Sequence, residues 1–285
     1  MSFRTLISTS TLAAHLNDPG YVVIDCRFKL DDEAWGEREY ALAHIPGAVY
    51  AHLNRDLSGP RTGTNGRHPL PDPLVLAETF ARLGVGKDGD RTVQVVAYDQ
   101  DNGSFASRLW WLSRWLGHDA AAVLDGGFAK WSAESRPTRR GTEEQPRREF
   151  RAAPRSELVV TASQVSAMLR RSDWRLLDAR APERYRGETE PIDKIPGHIP
   201  GAVNHFFEGN LNEHGTFRAA EELRKKIGAS AGEIRADHIV CYCGSGVTAC
   251  HNLLAMEHAG MPGAKLYPGS WSEWSADPAR PVERG

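Results

Sequence analysis

The sequence predicts an α/β fold built as two similar domains in tandem, each a mostly parallel sheet with helices on both faces. Three observations predict it. The 285 residues are about twice an ordinary domain. A series of short motifs occurs twice in the same order. Within each copy, brief apolar runs alternate with segments of helical period, the pattern of strands connected through helices.

The first copy runs VVIDCR (Val22 to Arg27), AHIPGAV (Ala43 to Val49), VQVVAYD (Val93 to Asp99), an apolar segment, then VLDGGFAKW (Val123 to Trp131). The second runs RLLDAR (Arg175 to Arg180), GHIPGAV (Gly197 to Val203), HIVCYC (His238 to Cys243), an apolar segment, then KLYPGSWSEW (Lys265 to Trp274). The apolar runs are strand-length and bounded by Gly, Asp or Pro, as buried strands are. After the third strand, Phe105, Leu109, Leu112 and Leu116 fall on one helical face, and Ala249, Leu253 and Met256 keep the same phase in the second copy.

The copies align with one length change of roughly ten residues. It falls where the first copy carries TGTNGRHPLPDP (Thr62 to Pro73), whose turn residues predict a surface loop. Residues 136–156, with seven Arg, three Glu and no Leu, Ile or Val, read as a solvated linker. The expected organisation is therefore a first domain over 1–135, a linker over 136–156 and a second domain over 157–285.

Composition narrows the function. Hydrophobic residues at 40% and charged residues at 25% are globular values. Lys plus Arg (35) against Asp plus Glu (37) leaves a charge of −2, so nothing steers the molecule to a polyanion and no nucleic-acid partner is expected. The start, MSFRTLISTS, has no signal-peptide character and no run spans a bilayer, so the expectation is a cytoplasmic protein without a membrane partner. Four cysteines are too few for a disulfide-built fold, yet Cys241, Cys243 and Cys250 crowd together.

That cluster lies in HIVCYCGSGVTACHNLLAMEHAG, which reads as strand, tight loop, helix. Cys243 ends the strand, Gly244-Ser245-Gly246 lets the backbone curl, and the helix begins near Val247 or Thr248. The unpaired N–H groups of a helix start favour an anion there, a thiolate or a persulfide R–S–S⁻. Gly244, Ser245, Gly246, Val247 and Thr248 form the expected anion cradle, and Cys243 is the expected nucleophile. Cys241 and Cys250 read as packing residues. Metal binding by Cys241, Cys243, Cys250 and His251 is disfavoured by their spacing. A cysteine phosphatase would need Arg where this chain has Ala249.

CGSGVTAC, the doubled HIPGAV and the late YPGSWSEW resemble the two-domain rhodanese superfamily of sulfurtransferases, over nearly the whole chain. The resemblance implies a catalytic second domain and a non-catalytic first one, with Asp99 standing where the second domain has Cys243. The uncharged CGSGVT loop is similar to that of the 3-mercaptopyruvate sulfurtransferases; loops with basic residues are typical of thiosulfate-specific enzymes. In DARAPERYRGETEPI, Arg184 matches the arginine that meets the donor. A second family arginine, after a Glu-Pro pair, is replaced by Ile192, which keeps thiosulfate open as an alternative donor. His68, in GRHPLP, matches a family histidine, while His52 stands where the family has Asp.

The resemblance thus implies sulfur transfer from 3-mercaptopyruvate, or from thiosulfate, to cyanide or a thiol such as thioredoxin through a Cys243 persulfide. Arg184, Ser245 and His68 are the expected donor-binding residues, and no cofactor is called for. A non-enzymatic rhodanese-like binding or sulfur-sensing module is the alternative from another class. Arg27 and Arg180 follow an Asp in both copies and are expected to pair with Asp25 and Asp178 and organise loops. His44 and His198, also present in both, are expected to satisfy backbone groups.

Overall fold

In the computed structural model, which describes residues 2–285, the chain divides into two compact units. One comprises residues up to Ser58 with 71–155 and 213–216; the other comprises 59–70, 156–212 and 217–285.

The first unit holds strands β1 (Leu6–Ile7), β2 (Tyr21–Asp25), β3 (Val49–Tyr50), β4 (Lys87–Asp88), β5 (Arg91–Thr92), β6 (Gln94–Tyr98) and β7 (Ala121–Leu124). Its main sheet has the order β1-β7-β6-β2-β3 and every pairing in it is parallel; β4 and β5 form a separate antiparallel hairpin. Helices α1 (Thr9–Ala14), α2 (Trp35–Leu42), α3 (Pro73–Arg82), α4 (Ala106–Trp115) and α5 (Gly127–Ala133) connect the strands. Local chemistry sets their starts: Asp72 accepts from the N–H groups of Leu74 and Val75, and Pro73 fills the first helical position, where no N–H is needed.

The second unit repeats the plan with β8 (Arg175–Asp178), β9 (Val203–Asn204), β10 (Ile239–Tyr242) and β11 (Lys265–Leu266) in the order β11-β10-β8-β9, all parallel. Its helices are α6 (Ala162–Met168), α7 (Pro182–Tyr185), α8 (Ala220–Ala231), α9 (Thr248–His258) and α10 (Ser270–Trp274). Val165, Leu176, Ile199, Val240, Trp271 and Trp274 are buried together in its core. No helix among the described residues is long and apolar enough to cross a membrane.

The expected Asp–Arg pairs form and bracket the strand ends identically in both units. Arg27 Nη2 donates to Asp25 at 2.6 Å and to the Ala43 carbonyl at 2.7 Å; Arg180 Nη2 donates to Asp178 at 2.7 Å and to the Gly197 carbonyl at 2.7 Å. Each pair is buried, and each guanidinium lies over an aromatic ring, Phe128 or Trp271. His44 and His198 place Nδ1 2.8 Å from the carbonyls of Tyr40 and Tyr185, as expected of backbone-satisfying histidines.

Two expectations change. Residues 136–155 are no free linker: Arg139 bridges His44, Glu149 bridges Lys87, Phe150 packs on Phe80 and Arg155 pairs with Asp119. A segment without Leu, Ile or Val is held by backbone hydrogen bonds and ion pairs instead. The loop of Thr62 to Pro73 is exposed at Thr62, Gly63, Thr64 and Asp72, whereas His68, Pro69 and Pro71 are buried, and residues 59–70 belong with the second unit.

Candidate active site

In open α/β sheets, ligands meet the chain beyond the carboxyl ends of the strands. In the second unit β8 and β10 are neighbours with Asp178 opposite Tyr242, so the chain leaves β10 at Cys243 beside the Asp178–Arg180 bracket. The apolar run Ile-Val-Cys-Tyr fills the interior; Gly244 to Val247 make the turn, and α9 starts at Thr248 with Val247 as its N-cap residue.

Cys243 is 2% exposed. Its Sγ accepts hydrogen bonds from the N–H groups of Ser245 at 3.4 Å and Gly246 at 3.1 Å. The curl this requires puts Gly246 at φ +78°, in the left-handed region, where an added Cβ would strike the Pro268 carbonyl oxygen. On the other side of the loop, Trp271 N–H donates to the Cys243 carbonyl and Ser272 N–H to the Gly244 carbonyl, each at 2.9 Å. The Cys243 N–H donates to Ser270 Oγ at 3.1 Å, and that hydroxyl donates to the Tyr267 carbonyl at 2.9 Å. Ser270 holds φ +52°, an uncommon conformation for a residue with a side chain.

His68 Nδ1 lies 2.7 Å from Ser245 Oγ, and both residues are buried. Arg184, on α7, donates from Nη2 to Glu190 Oε1 at 2.6 Å and from Nε to Glu190 Oε2 at 3.2 Å. Burial pushes the Glu190 carboxyl up, but Arg184 and the N–H groups of Asp193 and Ile192 outweigh it and hold the group below its usual range. Asp193 pairs with Arg67 and, at 3.5 Å, with Arg184 Nη2. Burial raises its carboxyl in spite of the arginines.

All the residues expected at the site from the sequence, Cys243 with 244–248, Arg184, Ser245 and His68, belong to this one unit. Arg67, Asp193, Glu190 and Ser270 were not singled out. For Ser270 a signal existed in the repeat, since YPGS aligns with LDGG and the counterpart Gly127 also has positive φ, +57°. Cys241 is fully buried in β10, and burial drives its thiol far above the ordinary range; Cys250 donates from Sγ to the Gly246 carbonyl. Both fit packing roles. His52, in the first unit, faces the Glu33 carbonyl with Nε2 and accepts from Asn54 and Arg55 N–H groups on Nδ1, so backbone groups of the first unit occupy both nitrogens.

The first unit's counterpart loop carries Asp99 in place of the thiol. Its carboxylate accepts from the N–H groups of Gly103 at 2.9 Å, Phe105 at 2.8 Å and Ala106 at 3.2 Å. Burial nevertheless pushes Asp99 up to about 6.

A family model described as a rhodanese-like domain matches residues 8–134 and again 161–277. A Pseudomonas aeruginosa protein named "Probable 3-mercaptopyruvate sulfurtransferase" is 47% identical over 100% of both chains. Thiosulfate sulfurtransferase of Cricetulus griseus is 36% identical over 99% of this chain and 96% of its own. Among solved structures, SseA from Escherichia coli, described as a 3-mercaptopyruvate sulfotransferase, superposes with TM-score 0.81 at 32% identity over 94% of this chain and 99% of that one.

Proposed function

The chain belongs to the rhodanese family and is a sulfurtransferase, and from that premise we propose that it takes sulfur from 3-mercaptopyruvate onto Cys243 and passes it to a thiol or to cyanide. The observation that carries this reading is the Cys243 sulfur facing the N–H groups of Ser245 and Gly246 in an uncharged loop, with His68 against Ser245.

The Cys243 thiolate attacks the donor sulfur, forming an S–S bond while the donor C–S bond breaks. The electron pair of that bond goes to the donor's methylene carbon as the enolate of pyruvate. The proton lost by the donor thiol ends on this carbon, and the Ser245–His68 pair is the group placed to carry it. Arg184 binds the donor carboxylate, and the loop N–H groups stabilise the persulfide. In the second half-reaction the acceptor attacks the outer sulfur and the electron pair of the S–S bond returns to Cys243. Cyanide leaves as thiocyanate; a dithiol such as thioredoxin closes to its disulfide and releases hydrogen sulfide.

The test is kcat/KM for 3-mercaptopyruvate and for thiosulfate with cyanide as acceptor, Cys243→Ser as the blank, and mass spectrometry of the donor-treated protein. The expected result is a preference for 3-mercaptopyruvate and one added sulfur on Cys243. A preference for thiosulfate would move the donor assignment, and an unmodified, fully alkylatable Cys243 would end it.

A further inference from the structure

Three guanidinium nitrogens of Arg67 and Arg184 have no acceptor among the described residues, and two of them lie above the cysteine loop. Arg67 spends Nη1 on Asp193, and Arg184 spends Nε and Nη2 on Glu190 and Asp193; Arg67 Nη2 and Arg184 Nη1 make no such bond. Both meet at Gly244, the residue after Cys243. A Cβ built there would lie 2.7 Å from Arg67 Nη2 and 3.8 Å from Arg184 Nη1. Asp193 and Glu190, whose side chains are 8% and 2% exposed, hold the two arginines from behind.

We propose that Arg67 is a second donor-binding residue, whose Nη2 together with Arg184 Nη1 takes the two carboxylate oxygens of the keto-acid donor. The inference rests on the function proposed above and assigns to residues 59–70 the cation that Ile192 does not provide. Its chemistry also selects a donor class. Arg67, Arg180 and Arg184 face Asp178, Glu190 and Asp193, so charge cancels within the cluster. What remains is a pair of unspent hydrogen-bond donors without net positive charge. That suits a planar monocarboxylate better than the dianion thiosulfate.

Arg67→Met removes the donors and keeps the stem. It is expected to raise KM for 3-mercaptopyruvate and Ki for pyruvate, used as an unreactive keto-acid probe, together by roughly 10- to 100-fold, the loss of a charge-assisted hydrogen bond. kcat and discharge of preformed persulfide to cyanide should change less than about 3-fold. Arg67→Lys keeps the ion pair with Asp193 and loses the second nitrogen. It has the raised KM if Nη2 binds the donor, and the wild-type KM if Arg67 only anchors Asp193. Gly244→Ala reaches the same end without touching Arg67, since the new Cβ displaces only the tip of a flexible side chain.

Unchanged KM and Ki in Arg67→Met, or wild-type values in Arg67→Lys, overturn the inference while the wild-type Cys243 persulfide still forms from 3-mercaptopyruvate. A wild-type protein that forms no persulfide from that donor overturns the proposed function and this inference with it.

Discussion

Replacing Ser245 by Ala separates the two donors by the chemistry of what they leave behind. Sulfite departs from thiosulfate as a stable anion, whereas pyruvate departs from 3-mercaptopyruvate as an enolate that must gain a proton. The Ser245 hydroxyl is 6% exposed by residue and 2.7 Å from His68 Nδ1. It sits within the cradle while leaving the Ser245 and Gly246 N–H bonds to Cys243 in the backbone. Its loss removes one buried hydrogen bond, costing about 1 to 3 kcal/mol of stability, a fall of a few degrees in Tm. It also removes one link of the proposed proton path, which at the low end of acid–base catalysis is about 100-fold in kcat, or roughly 2.7 kcal/mol of barrier. The assay is kcat for both donors with cyanide in the same preparation. 3-Mercaptopyruvate turnover is expected to fall about 100-fold and thiosulfate turnover by less than about 3-fold. An equal loss on both donors would refute the reasoning, because it would make Ser245 a shaper of the loop and not a carrier of the proton.

Two further outcomes follow from the loops. In Ser270→Gly, relief of the left-handed backbone returns about 1 to 2 kcal/mol and loss of the hydroxyl costs about 1 to 3 kcal/mol, so the fold changes little. Cys243 alkylation and persulfide loading should slow roughly 10-fold, as the Cys243 N–H loses its anchor. Asp99, raised from 3.8 to about 6, favours folding fully below pH 3.8 and loses that contribution as pH rises through 6. The stability of the wild type minus that of Asp99→Asn, from urea titrations, should fall by up to about 3 kcal/mol between pH 4 and 6.5 and then level off; a pH-independent difference would contradict it.

What the sequence discloses depends on how far a signal reaches along the chain. The paired strands were legible because burial on both faces of a parallel sheet leaves runs such as Val-Val-Ile-Asp and Ile-Val-Cys-Tyr. The cysteine loop was legible for a local reason too, since two glycines after a strand end force a curl and a helix follows, and α9 begins at Thr248 as expected. Arg67 could not be found this way. Its partner Asp193 is 126 residues away, and neither position carries a period or a cap signal. Residues 136–155 misled for the opposite reason: their composition describes side chains, while the segment is held by backbone bridges and arginine pairs.

The two loops explain one another. Asp99 and a persulfidated cysteine carry their negative end the same number of bonds from the backbone: Cβ–Cγ–Oδ in one, Cβ–Sγ–S in the other. The loop is one residue longer in the first unit, reaching its positive-φ glycine at Gly103 where the second reaches Gly246. From those glycines to the positive-φ glycines that follow the helices, Gly117 and Gly260, the spacing is equal, so Phe105 corresponds to Thr248 and Ala106 to Ala249, one residue away from the pairing of Phe105 with Ala249 that the apolar pattern suggests. In the first unit, the N–H groups of Gly103, Phe105 and Ala106 close on the Asp99 carboxylate. By that correspondence, the N–H groups of Gly246, Thr248 and Ala249 are the ones expected to face the outer sulfur of a persulfide on Cys243, one bond beyond the Sγ that accepts from Ser245 and Gly246. The Asp–Arg bracket behind each loop is the same in both units, so it belongs to the scaffold. The first unit's cradle is filled by a carboxyl group of its own chain. The second's is left to an anion that the reaction must make and remove, which is the difference between a structural loop and one that turns over.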